Sequence, residues 1–119
     1  MRKKHATHRV AVVTTPNAPL FEIAVPCEIF GMPRPELIDP PYEVTLCATV
    51  PGERVGSGFT PDATTLDALE EADTVVVPAC ADVDDEADED LVRALKAVAE
   101  RGARVVGLCS GAFAADQGA

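Results

Sequence analysis

The sequence predicts a doubly wound α/β sandwich of three layers, built on a mostly parallel sheet. Three observations carry that prediction. Strand-like apolar runs alternate with helical patterns along the chain, the order that parallel sheets require. The first run, Arg9-Val-Ala-Val-Val-Thr14, is nearly continuous in apolar residues, as a strand buried on both faces is. The length, 119 residues, suits one domain and not two.

The elements follow in order. Residues 1–8 read as a flexible basic tail before the first strand. A loop with Pro16, Asn17 and Pro19 leads into a helical pattern from about Leu20 to Phe30, stopped by Gly31 and Pro33. Pro26 lies inside this pattern, so a late start or a bend is expected there. A connection rich in proline (Pro33, Pro35, Pro40, Pro41) precedes a second strand, Tyr42 to Ala48, of alternating polarity. Gly52, Gly56, Gly58 and Pro61 leave room for one short hairpin around Arg54 to Thr60. A brief helix, Leu66 to Glu71, comes before the strand Thr74-Val-Val-Val-Pro78. The longest helix spans about Asp88 to Arg101, with Leu91, Leu95 and Val98 on one stripe and Gly102 as its stop. Arg104 to Leu108 is the last strand, and Cys109 follows at once.

Composition narrows the function. Apolar residues make up 47% and charged residues 25%, which suits a globular core, and no apolar run reaches 18 residues, so no membrane span is expected. The basic start is followed by only four apolar residues, Val10 to Val13, too few for a signal core, and the expected compartment is the cytoplasm. A net charge of −10 argues against nucleic-acid binding by this segment. Seven of the nine residues from Asp82 to Asp90 are acidic. A calcium loop there would need Gly and Glu where Ala87 and Arg93 stand, so a solvated loop favouring the next helix N-terminus is the better reading. Cys27, Cys47, Cys80 and Cys109 form no C-x-x-C pair, which disfavours zinc and redox motifs. Cys27 and Cys47, in apolar surroundings, read as inert core residues. His5-x-x-His8 offers two ligands on a tail, which make a poor metal site. No cofactor and no metal are expected.

The informative segment is Gly107-Leu-Cys109-Ser-Gly111. With cysteine in the nucleophile place it fits G-x-S-x-G at a strand-to-helix turn, a nucleophile elbow. Such a turn holds the nucleophile above the sheet, and glycines two residues either side leave space for the close approach of their backbones. Ser110 opens the next helix, whose N–H groups and positive dipole end favour the thiolate. The Ser110 N–H also has the place of an oxyanion donor. The competing reading is an ordinary buried cysteine in a tight turn. Glu22, within Leu20-Phe-Glu-Ile-Ala-Val25, either faces water or, set among apolar neighbours, needs a partner. In an open parallel sheet the segments after the strands converge on one edge, so Glu22 and Pro78-Ala79-Cys80 can both approach Cys109.

Three stretches, Pro19 to Gly31, Asp73 to Pro78 and Gly102 to Phe113, resemble the DJ/PfpI superfamily, whose domain is related to class I glutamine amidotransferases. More narrowly, they resemble the amidotransferase-like N-terminal domain of AraC-type transcriptional regulators. The similarity covers about residues 9–114. It implies a flavodoxin-like sandwich, with Cys109 as the elbow cysteine and Glu22 as the acid that hydrogen-bonds it. Ser110, Ala79 and Cys80 would supply backbone donors. The resemblance implies hydrolase, hydratase or glyoxalase-type chemistry for the cysteine in enzymes of the superfamily, and in the regulators a pocket that senses a small molecule or has lost catalysis.

Two departures stand out. Pro78-Ala79-Cys80 replaces the Pro-Gly-Gly or Pro-Gly-aromatic turn common in relatives. Relatives also continue well beyond the elbow with further strands and, in many enzymes, a histidine, whereas six residues, Ala114 to Ala119, follow Phe113 here, so the implied sandwich is incomplete at the C-terminus. The only histidines, His5 and His8, precede the first strand, so the family's Cys–His dyad has no second member. No helix-turn-helix follows the elbow. The leading expectation is therefore a truncated sensor domain of an AraC-type regulator, taking a small-molecule ligand at the elbow. The alternatives are a stand-alone PfpI-type cysteine enzyme using Cys109 and Glu22, and an inactive gene fragment. Central strands left without neighbours would favour self-association.

Overall fold

The structure, a computed structural model, describes residues 7–16, 18–55, 58–78 and 89–108. Among them, β1 (Arg9–Thr14), α1 (Leu20–Gly31), β2 (Glu43–Ala48), β3 (Thr64–Thr65), a 3-10 helix (Leu66–Glu71), β4 (Thr74–Val77), α2 (Glu89–Glu100) and β5 (Arg104–Gly107) follow in sequence. The five strands form one sheet in the order β3-β2-β1-β4-β5, every pair parallel. This is the doubly wound, flavodoxin-like arrangement that the alternating pattern predicts.

β1 is the central strand because its side chains suit burial on both faces. Val10 and Val12, with Val76 of β4, meet α1 through Ile23 and Leu20. Ala11, Val13, Cys47, Val75 and Val77 point the other way, onto Leu91, Leu95 and Val98 of α2 and Leu69 of the 3-10 helix. The helical stripe read from the sequence is thus the buried side of α2. Gly102 ends that region at φ +94°, a conformation open to glycine. Arg101 adds a lock: its Nη2 donates to the carbonyls of Leu69 (2.9 Å) and Ala72 (2.7 Å).

At the N-terminal edge of the sheet Asp73 gathers three strands. Its carboxylate accepts from the Arg9 N–H at 2.9 Å, its own N–H donates to the Arg9 carbonyl at 2.8 Å, and its carbonyl accepts from Arg104 at 3.0 Å. His8, expected in a flexible tail, shares a 2.9 Å hydrogen bond with Thr74 and stands edge-on to Tyr42. Residues 1–6, with His5, lie outside the described residues.

Three details differ from the sequence reading. α1 does not start late: it runs without interruption from Leu20 to Gly31, with Pro26 buried inside it. The hairpin expected at residues 54–60 is reduced to a single antiparallel bridge, Val55 to Phe59, which buries Val55. β3, two exposed threonines paired to Cys47 and Ala48, carries no apolar pattern that could announce it. No helix among the described residues is long and apolar enough to cross a membrane.

α1 is apolar on both sides: Phe21 and Ile29 stay exposed, Phe21 at 76%, as does Met32 at its C-cap. Val106 of β5 is also open, at 42%. By contrast, burial pushes the Cys47 thiol up to about 12 from an ordinary 9.0. Cys27, half-buried, is raised by its burial and, next, by the neighbouring Glu28 charge.

Two outcomes follow. Leu95→Ala, which empties the centre of the α2 layer, lowers unfolding free energy by about 2–5 kcal/mol in urea titrations, while exposed Lys96→Ala changes it by less than about 0.5 kcal/mol. Cys47 keeps its proton in the folded state up to about pH 12, whereas the unfolded chain loses it from about 9. Stability is therefore undiminished by this group below pH 9 and falls as the pH rises from 9 towards 12. The decline is shallower in Cys47→Ala, measured by unfolding at stepped pH.

Candidate functional site

The sheet reverses its winding between β1 and β4: β2 is added on one side of β1, and the chain then returns to add β4 and β5 on the other. Segments leaving the C-terminal ends of β1 and β4 must part above this seam, which opens a crevice there. Thr15, Pro16 and the start of α1 follow β1 at this edge, and Pro78, fully buried, follows β4. β5 delivers Leu108 to the same edge, its N–H donating to the Val77 carbonyl at 2.9 Å and its side chain packing with the α1 cluster. Leu108 is the last described residue before Cys109.

Glu22 stands in the first turn of α1, third residue after the N-cap Pro19. At that position a glutamate ordinarily reaches back to the N-cap backbone N–H and closes a capping box. Proline has no such N–H, so the bond cannot form. Four residues on, Pro26 also lacks the N–H that would bond the Glu22 carbonyl. Two prolines thus strip Glu22 of its local partners. Glu22 Oε1 is buried and has no hydrogen-bond partner among the described residues, so this oxygen does not face water. Thr15 Oγ1 is the other buried side-chain oxygen without a partner among the described residues, and it lies at the same seam. Nothing in the sequence singled it out.

An orphaned carboxylate oxygen costs about 1–3 kcal/mol or more and persists where a ligand or reacting group meets it. It can accept a hydrogen bond, hold a proton near a sulfur, or orient a polar ligand. Cys109, Ser110, Ala79 and Cys80, the other expected site residues, lie outside the described residues. Among the described residues no cluster of three or more His, Cys, Asp or Glu could hold a metal. A cavity of about 460 Å³ lies elsewhere, between α2 and the 3-10 helix, lined by Leu66, Ala94, Val98 and Arg101. Its acidic Asp90 and basic Arg93 bond each other at 3.3 Å, and no orphaned group faces it, so the seam is the better candidate.

No family model and no curated protein matches the sequence. Solved structures do match. A two-domain protein of Anabaena variabilis with DJ-1/ThiJ/PfpI-like and ferritin-like domains superposes with a TM-score of 0.71 at 21% identity, over 94% of this chain and 32% of that one. A Bacteroides thetaiotaomicron protein named "putative protease I" gives 0.66 at 18%, over 94% and 68%. An AraC family transcriptional regulator of Pseudomonas putida gives 0.65 at 22%, over 90% and 58%. The chain therefore spans about a third of the first protein, and 68% and 58% of the other two. At these identities the likeness establishes the fold, which is that of DJ-1/PfpI-like domains.

Replacing Glu22 with methionine, of similar length and without the carboxylate, raises unfolding free energy by about 1–3 kcal/mol. Urea titration of the two proteins side by side checks the sign.

Proposed function

We propose that these 119 residues belong to the amidotransferase-like, ligand-sensing domain of an AraC-type transcriptional regulator and amount to its first part. Cys109 is the sensor thiol, Glu22 the acid that hydrogen-bonds it, and the backbone N–H groups of Ser110, Ala79 and Cys80 the donors that hold a small molecule above the seam. The observation that carries this reading is the unpartnered Glu22 oxygen at the edge to which β5 leads the chain. The fold shared with the Pseudomonas putida regulator and the pattern Phe21-Glu-Ile-Ala-Val-Pro-Cys-Glu-Ile-Phe30 support it. A net charge of −10 leaves DNA contact to a separate, basic helix-turn-helix segment. The cytoplasm, where thiols stay reduced, is the fitting compartment. Copies associate through apolar surface such as the outer side of α1 and the open β5 face at Val106.

A stand-alone cysteine hydrolase, hydratase or glyoxalase-like enzyme is the second reading, favoured by the likeness to the Bacteroides protein over 94% of the chain. There Cys109 would attack an electrophilic carbon, and Cys109→Ser would abolish turnover; the sensor reading expects no turnover to lose.

The thiol can be tested directly. Iodoacetamide alkylation of Cys109 reaches half its limiting rate well below pH 8.5, the ordinary value for a free thiol, and Glu22→Gln moves that midpoint towards 8.5. An ordinary midpoint that ignores the substitution removes the assigned pairing. The regulator assignment stands or falls on the gene beyond the Ala119 codon, where the rest of the domain and a helix-turn-helix are expected.

A further inference from the structure

Thr15 has a hydroxyl with no assigned role. The residue is 9% exposed, and its Oγ1 has no hydrogen-bond partner. A hydroxyl this deeply buried ordinarily finds a carbonyl, as neighbouring Thr14 does by donating to Cys47 at 3.5 Å. The Thr15 main chain is held in place, its carbonyl accepting from the Ala18 N–H at 3.1 Å. The next orphaned oxygen, Glu22 Oε1, lies seven residues on, in the first turn of the helix that this turn feeds. One short segment thus brings two unsatisfied oxygens to the seam where the sheet reverses.

We propose that Thr15 is a ligand-contacting residue of this site, and that Thr15 and Glu22 together select a small uncharged or cationic molecule bearing N–H or O–H donors, such as an amide, amine or alcohol. The chemistry of the two groups sets this preference. The Glu22 Oε1 atom, with the carboxyl proton held on the other oxygen towards Cys109, accepts a hydrogen bond, and a threonine hydroxyl both accepts and donates. An N–H or O–H group satisfies Glu22, and a donor or acceptor beside it satisfies Thr15. A carboxylate ligand brings only acceptors, so it leaves the Glu22 oxygen unpaired and its own charge desolvated. The inference rests on reading this edge as a ligand site. It does not rest on the thiol: an ordinary Cys109 midpoint would remove the sensor pairing and leave the Thr15 measurements unaffected.

The test uses three probes of matched size, propionamide, propylamine and propionate, titrated into the 119-residue protein while the backbone amide resonances of Thr15 and Glu22 are followed. Propionamide and propylamine shift both resonances, and propionate leaves them in place. Thr15→Val weakens propionamide binding about three- to tenfold, the equivalent of one hydrogen bond, and Thr15→Ser, which keeps the hydroxyl, binds within about twofold of the parent. Without any probe, Thr15→Val melts a few degrees higher than the parent, because an unpaired buried hydroxyl has gone. Three results would each overturn the proposal: a lower melting temperature for Thr15→Val, equal binding by Thr15→Val and the parent, or propionate shifts as large as those of propionamide.

Discussion

The parallel pairing of β1 with β4 governs the rest of this molecule. Val10, Ala11 and Val12 lie opposite Thr74, Val75 and Val76, so a strand from the start of the chain is zipped to one some sixty residues later. That pairing reverses the winding of the sheet, and the reversal separates the segments above it. Both orphaned oxygens lie at this seam. The knot at Asp73 fixes the other end of the same strands, so the seam is held at its base.

Hydrophobic pattern made most of the framework legible. The burial of both faces of β1, the stripe of α2 and the stop at Gly102 all rest on residue types with strong physical preferences. What escaped was held by backbone or context. β3 is two polar residues whose pairing uses main-chain groups alone, and Val55 is buried by a bridge between residues that sequence spacing could only frame as a hairpin. Pro26 signalled a late start or a bend, yet the helix starts at Leu20 and continues past the lost hydrogen bond with the proline buried.

The site was legible to a lesser degree. Glu22 drew notice as a charge among apolar neighbours, but its loss of local partners depends on where the helix begins. Only with Pro19 fixed as the N-cap does Glu22 become a capping-box residue with nothing to cap. Thr15 could not be found from sequence at all, because a threonine after a strand is among the commonest ways to begin a loop. Its significance comes from burial without a bond, which is a property of the fold.

The two-sided apolar character of α1 has a consequence for how firmly Glu22 is aimed. A helix with one greasy face and one charged face is oriented by solvent: any rotation about its axis drowns apolar surface and dries out charge. α1 enjoys little of that restoring force, since turning it would exchange one set of aliphatic side chains for another. Its angle is fixed instead by fit, with Ile23 and Pro26 sunk onto the sheet and the Phe30 ring edge-on to Tyr42 at 5.2 Å. Steric keying, rather than polarity, therefore sets the direction of the carboxylate. A cavity carved under Phe30 or Ile23 would misdirect Glu22 from several residues away while leaving the carboxylate itself untouched.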